Sequence, residues 1–352
     1  MHFRLLALTV VAAPTLPGCG ADPSDVGAGF AVRTEAIVKG EPSDAGDDAV
    51  AFVKAYPPDL DATHCTGTFV AGNLIVTALH CVSHHLVEAR FSCNPDGTLE
   101  PQEPGGGILG AVVAPEMIEI RLGPTPGNDP DAIGARVFTT GSTQICRNDL
   151  AVILLDRDLD VEPRALRWDA PVEVGDTVTA IGYGATGLSG PISRFRREGL
   201  RVLASGPDSN DEPSRTAAPR TFMVGEGPCH GDSGGPAFAE SSGALIGVYS
   251  LLTTGSCTAL GVRNVFTKVA PFRDLLSDAF EAAGAEPLLE VLPEPPPPSE
   301  PRSNVDPLGG SGSRDEPSCA CRLGPPRPAS AEWLAGLAFF ASVVVRRRRR
   351  AQ

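Results

Sequence analysis

Between residues 49 and 269 short apolar runs recur, each closed off by Gly, Pro, Asp or Asn: AVAFVKAY (49–56), TGTFVAGNLIVTALHC (66–81), MIEIRLG (117–123), LAVILLD (150–156), DTVTAIGYG (176–184), ALIGVYSLL (244–252) and NVFTKV (264–269). Runs of this length between turn-forming residues predict β-strands, and their succession predicts a barrel or a sandwich. The period changes once. In APFRDLLSDAFEAAG, Phe272, Leu275, Leu276 and Phe280 recur at helical spacing, which predicts one amphipathic helix near the end of the folded region. No internal repeat is present at periods of about 20 to 50 residues, so a solenoid is not expected.

Composition agrees with an all-β reading and restricts the partners. The 34 prolines and 39 glycines among 352 residues favour turns over long helices, and one all-β domain can occupy more than ~200 residues. A formal net charge of −14 argues against a nucleic-acid surface, because phosphate binding needs clustered Lys and Arg. An acidic, soluble surface on a monomer is expected instead.

Both ends break the pattern and read as addresses rather than fold. MHFRLLALTVVAAPTLPGCG has one early Arg, an apolar run over 5–13 and small residues at its close, which is the make-up of an export signal. Two cleavage readings stand there. LPGC resembles a bacterial lipoprotein box that makes Cys19 the lipidated first residue, with Pro17 unusual inside it; ordinary removal near Ala21 discards Cys19 and places the signal peptide at 1–21. At the other end, residues 333–345 are apolar but short of the about 20 residues of a spanning helix, and five arginines follow at once, a flank that stays in the cytoplasm. A plain C-terminal membrane helix is one reading. The combination of Cys319, Cys321, the short apolar run and the arginine block resembles the C-terminal sorting signal of myxobacterial surface proteins. That resemblance implies processing near one of the two cysteines and a membrane or outer-surface attachment through 319–352. Residues 287–318, rich in Pro, Gly and Ser, are expected to be a stalk, since nothing in them can form a core.

With Cys19, Cys319 and Cys321 set aside as processing residues, six of the nine cysteines remain: Cys65, Cys81, Cys93, Cys146, Cys229 and Cys257. An even set in an exported chain reads as disulfides, with the connectivity left open by spacing alone. No Cys-x-x-Cys pair accompanies them. His84 and His85 are adjacent and point in different directions, so a surface loop rather than a metal centre is expected there.

The densest local chemistry is CHGDSGGPAF (229–238), a single serine, Ser233, among three glycines. A serine hydroxyl is a poor nucleophile near neutral pH and needs a base to take its proton and a third group to orient the base. VTALHCV supplies His80 at the end of a strand-like run, and RNDLAVILLD supplies Asp149 at the start of another. The glycines let the backbone approach a substrate closely and turn N–H groups toward a developing oxyanion. Alone, a histidine is usually a surface or core residue and an aspartate can merely begin a turn. The order His, Asp, Ser with all three contexts intact is far more specific.

TALHC, NDLAVILL and GDSGGP resemble the three motifs of the trypsin/chymotrypsin family of serine proteases, over about residues 37–284. The resemblance implies two packed six-stranded antiparallel barrels with the site in the cleft between them, a short C-terminal helix, and a protease domain at 37–286. It makes Ser233 the nucleophile, His80 the base and then acid, and Asp149 the orienting group. The N–H groups of Gly231 and Ser233 form the oxyanion hole, and Ser250 of GVYS supports Asp149. No cofactor is needed. It pairs Cys65 with Cys81 and Cys229 with Cys257, which leaves Cys93 to pair with Cys146. The family's usual second-barrel disulfides have no counterpart. The gap between His80 and Asp149 is longer than usual and holds NPDGTLEPQEPGGGILG (94–110), whose Gly and Pro content reads as an exposed insertion, a long loop in preference to an exosite.

The same resemblance bears on activation and specificity. EAIVKGEPSDAGDDAVAFV is similar to the start of a mature family member, which puts a new amino terminus at Ile37, its partner at Asp232 and a propeptide at 22–36. Lys39 replaces a common glycine in that start. Members with trypsin specificity carry an aspartate six positions before the nucleophile, where this chain has Gly227; Glu226 is one position too early, although it could reach a basic side chain. Leu252 and Asn264 stand where an open pocket has glycine. With Gly227 and Ser250 they are expected to line a shallow, uncharged pocket for small apolar residues. A surface-tethered endopeptidase acting on proteins or peptides therefore leads, ahead of a catalytically silent binding module and, more distantly, a stalk protein with an incidental motif. Reaction with a serine-directed phosphonate separates the first from the other two.

Overall fold

The computed structural model describes residues 37–291, apart from 59, 86–89, 185–191 and 213. The expected export signal, propeptide, C-terminal anchor segment and the expected stalk beyond 291 lie outside the described residues.

The first half contributes β1 (Glu41–Pro42), β2 (Val50–Ala55), β3 (Thr63–Ala71), β4 (Leu74–Thr77), β5 (Ser83–His85), β6 (Phe91–Cys93), β7 (Leu99–Pro101), β8 (Leu109–Val112), β9 (Ile118–Arg121), β10 (Ala132–Thr139) and β11 (Ala151–Leu155). Six of these close into a barrel in the order β10-β11-β4-β3-β2-β9. Every apolar run read as a strand in this half is one of its staves. Phe52, Phe69, Ile75, Val76, Ile118, Ile120, Val152 and Ile153 are buried in one core, each worth about 1.5–3 kcal/mol for an aliphatic or aromatic side chain taken from water. Packing there is tight enough to dictate Gly67. A Cβ at that position would lie 2.5 Å from Ile75 Cγ2 and 2.9 Å from Val53 Cγ2.

The second half contributes β12 (Thr177–Gly182), β13 (Phe195–Arg201), β14 (Ala204–Ser205), β15 (Thr221–Val224), β16 (Pro236–Ala239), β17 (Leu245–Leu252) and β18 (Asn264–Lys268). They form, with β1, an eight-stranded antiparallel sheet ordered β1-β13-β12-β16-β17-β18-β15-β14. The expected second six-stranded barrel takes this different form because the chain itself crosses the seam. β13 and β14 are one path interrupted by two residues: Val202 N still donates to Asp176 O beside β12, and Leu203 N already donates to Met223 O on β15, each at 2.8 Å. No ladder joins the two edges among the described residues. Val178, Leu200, Phe222, Val224, Ile246 and Phe266 pack as a second core, which also takes in Ile37.

The predicted helix is present as α1 (Arg273–Ala283), ended by Gly284 in the left-handed conformation at φ 66°. It buries Leu276, Ala279 and Phe280 in the same core as the barrel. The chain does not leave the body there. Leu166 N donates to Leu288 O at 2.7 Å and Glu290 N to Leu166 O at 2.9 Å, and Glu290 pairs with buried Arg167 at 2.6 Å. Residues 288 and 290, read from composition as the start of the stalk, are therefore joined to the folded body.

The 94–110 insertion contains β7 and part of β8: β6 pairs with β7 as a hairpin, and β5 pairs with β8. The three disulfides are Cys65–Cys81, Cys93–Cys146 and Cys229–Cys257, and the second ties this hairpin to the residues just before Asp149. No described helix is long and apolar enough to cross a membrane.

Candidate active site

His80 lies in the turn that follows β4 and is 8 % exposed, and Asp149, just before β11, is 0 % exposed. β4 and β11 are adjacent in the barrel, so the two residues meet at one end of it. A buried carboxylate is costly unless its lone pairs are used. Asp149 uses them: the backbone N of His80 donates to Oδ1 at 2.8 Å, and His80 Nδ1 donates to Oδ2 at 2.7 Å. Ser250, on β17 of the other half, donates its hydroxyl to Oδ2 at 2.6 Å. A carboxylate can only accept, so Nδ1 carries a proton in this bond, and in the neutral imidazole the lone pair that can act as base is then the one on Nε2.

Ser233 reaches the same place through backbone and side-chain bonds. Thr66 N donates to Ser233 O at 2.7 Å, Thr66 Oγ1 to Gly231 O at 3.2 Å, and Thr77 Oγ1 to Thr66 O at 2.8 Å. Thr77 stands three residues before His80. Gly234 has φ 79°, and the space of its absent Cβ is taken by Thr66 O, Thr77 Oγ1 and, at 3.1 Å, Ala78 N. Gly231 has φ 89°. Any side chain at 234 would push the serine turn off the end of β4. On its other side the turn is tied to β17, where Gly234 N donates to Tyr249 O at 2.8 Å, beside Ser250.

Asp232 is buried beneath this turn and accepts from Ile37 N at 3.1 Å, Cys229 N at 2.8 Å and Gly184 N at 2.7 Å. Burial pushes its carboxyl up to about 7, against the downward pull of the Cys229 and Gly184 donors. Ile37 and Asp232, paired in the sequence reading, are thus in contact. Lys39 adopts φ 59°, the conformation that favours glycine, and its ammonium lies 2.5 Å from Glu226. Glu226 therefore meets a residue of the chain itself.

Around the expected pocket, Gly227 is buried and a Cβ on it would meet Leu200 Cδ1 at 3.2 Å. Leu252 is half-buried and stands opposite Asn264 in the β17–β18 ladder. Asn264 is fully buried; its Nδ2 donates to Gly225 O at 2.7 Å, while Oδ1 has no partner. The two gatherings of His and Cys atoms, Cys65 with His80 and Cys81 and Cys229 with His230 and Cys257, are built on disulfide sulfurs, which have no thiolate to offer a metal.

Sequence reasoning missed Thr66, Thr77, Arg194 just before β13, and Arg196 and Arg197 at its start. Arg194 is 1 % exposed and donates to Ser43 Oγ at 2.9 Å, Val50 O at 2.9 Å and Asp48 Oδ1 at 2.7 Å. The run RFRREGLR (194–201) carries a signal, three arginines within four positions leading into a strand, but not the identity of their partners.

The family model described as Trypsin matches residues 37–276. Among curated proteins, granzyme M of Rattus norvegicus is 25 % identical over 260 residues, covering 69 % of this chain and 91 % of its own length. Chymotrypsin-2 of Vespa crabro is 33 % identical over 134 residues, covering 36 % of this chain and 59 % of its own. Among solved structures, the scabies mite inactivated protease paralogue S-I1 aligns with a TM-score of 0.50 at 19 % identity, covering 69 % of this chain and 99 % of that one. HL collagenase aligns with a TM-score of 0.50 at 18 % identity, covering 70 % and 99 %. At these identities the structural likeness speaks to fold alone.

Proposed function

This chain belongs to the trypsin family and is a trypsin/chymotrypsin-like serine endopeptidase, and from that premise we propose that Ser233, His80 and Asp149 form its catalytic triad. The observation that carries the proposal is the buried Asp149 carboxylate, held by His80 Nδ1 at 2.7 Å and Ser250 Oγ at 2.6 Å. Ser233 Oγ attacks the scissile carbonyl carbon while His80 Nε2 takes its proton. Nε2 then gives that proton to the amine nitrogen as the C–N bond breaks, which leaves an acyl group on Ser233. Water repeats the sequence and frees the acid. The N–H groups of Gly231 and Ser233 stabilise the oxyanion in both halves. A catalytically silent module keeps the same fold but has no chemical use for these bonds to Asp149.

The substrates are proteins or peptides. Gly227 places no charge at the pocket base, Leu252 narrows it, and Lys39 occupies Glu226, so the preferred residue on the acyl side is Ala or Val. Maturation cuts the Ala36-Ile37 bond, which itself offers a small apolar residue to such a pocket. The 1–21 signal exports the enzyme, and 319–352 holds it at the cell surface through the stalk. A peptide-library profile of the purified domain tests the specificity. Cleavage after Ala or Val is expected to exceed cleavage after Arg by about tenfold or more, and Leu252→Gly is expected to admit larger apolar residues. Faster cleavage after Arg or Lys overturns this reading of the pocket.

A further inference from the structure

Arg197 carries a role that no motif announced. It lies on β13, opposite Ala180 of β12, and is half-buried. Its Nη1 donates to Val38 O at 2.7 Å and to Glu226 O at 2.8 Å. Val38 N in turn donates to Gly227 O at 2.7 Å. The residue after the amino terminus is thus held to the pocket base twice, directly through its nitrogen and by way of a guanidinium through its oxygen. Two carbonyl oxygens that face one donor repel each other when it is removed, and a charged donor is the stronger kind of bridge.

The neighbouring arginines do not duplicate this bridge. Arg194 and Arg196 reach Ser43, Asp44, Asp47, Asp48 and Val50, all beyond the first residues of the mature chain. Lys39 and Glu226 close the outer side, but Lys39 is 69 % exposed, and an exposed ion pair holds little. Among the described side chains, Arg197 is the one that hydrogen-bonds to both Val38 and Glu226.

We propose that Arg197 is a positioning residue that couples the docked amino terminus at Ile37 to the base of the substrate pocket. The inference rests on the reading of Ile37 as the mature terminus and Gly227 as the pocket base. With Arg197 present, insertion of Ile37 beside Asp232 draws Val38 onto the bridge and fixes the carbonyl of Glu226, hence the floor at Gly227. Without it, the triad is intact but the pocket floor and the terminus are no longer held to each other. Because a single nitrogen serves both carbonyls, a lysine of similar reach can take its place.

The test compares purified mature enzyme with Arg197→Met and Arg197→Lys on one peptide with Ala on the acyl side, and measures the rate at which acetic anhydride labels the Ile37 amine. Arg197→Met is expected to raise KM roughly tenfold with kcat within about threefold, and to label Ile37 roughly tenfold faster, the loss of one charge-assisted bridge. Arg197→Lys is expected to restore both. Arg197→Gln, which keeps the stem and reaches less far, is read in place of the Met variant if that protein does not fold, with the same expected rises. Unchanged KM and labelling in the Met or Gln variant overturn the inference, as does a folded Lys variant that restores neither. The underlying reading fails separately: wild-type enzyme whose sequenced terminus is not Ile37, or whose activity survives full labelling of that amine, refutes the activation step whatever the Arg197 variants do.

Discussion

If the chain is cut before Ile37, as proposed, Asp232 is the residue whose chemistry changes most. In the uncut chain the nitrogen at Ile37 is an amide, and burial holds the Asp232 carboxyl at about 7 against an ordinary 3.8. The docked state then keeps a proton that an undocked carboxyl releases, so docking is favoured in acid and loses stability as pH rises from about 4 through 7. Cutting Ala36-Ile37 sets an ammonium against the carboxylate, which favours its charged form and removes that loss. Uncut Ser233→Ala protein is therefore expected to melt several degrees lower at about pH 8 than at about pH 5, while the cut enzyme does not. Calorimetry at the two pH values checks this, and an equal loss in both forms contradicts it. At this scale the site motifs were legible because each is a contiguous run whose backbone shape the chemistry demands. The disposition of Asn264 was not: its Nδ2 is taken up by Gly225 O, a carbonyl far off in sequence.

Single elements show where sequence pattern stops being informative. The strands β2, β3, β4, β9, β11, β12, β17 and β18 follow from apolar runs between turn residues, α1 from helical periodicity, and the disulfides from motif resemblance. Arg194, just before β13, read only as part of a polar strand, because its partners Ser43 and Asp48 lie about 150 residues earlier in the chain. Leu288 and Glu290 were hidden by the composition of their surroundings, Pro-rich and acidic, although backbone bonds to Leu166 hold them in place. Glu290 faces Arg167, whose side chain is 7 % exposed, and that guanidinium holds the Glu290 carboxyl below its usual range. Removing one partner of a buried pair costs about 3–5 kcal/mol. A chain ended at residue 286 is expected to lose about that much stability in urea relative to one ended at 291, and Glu290→Gln most of it. Coincident unfolding curves for the two truncations would show that the segment merely lies against the body.

For the molecule as a whole, one closed barrel and one eight-stranded sheet meet where His80, Asp149, Ser250 and the Ser233 turn are bonded together. The motif resemblance implied two barrels with the site between them, but nothing in the sequence indicated that β13 and β14 cross the seam of the second half by chain continuity, since the change of partner between Val202 and Leu203 leaves no mark on composition. If 319–352 is the tether, deleting it is expected to release active enzyme into the medium, and retention of the truncated protein on cells points instead to lipidation of Cys19. The central claim, that this fold carries a working Ser-His-Asp triad, is tested most directly by treating the mature enzyme with a phosphonate ester bearing an Ala-like acyl-side group and mapping the adduct by mass spectrometry. The account predicts one phosphonyl group, on Ser233, formed in step with loss of peptidase activity and absent from Ser233→Ala and His80→Ala. Full peptidase activity in Ser233→Ala, or inactivation with the adduct on any other residue, contradicts it.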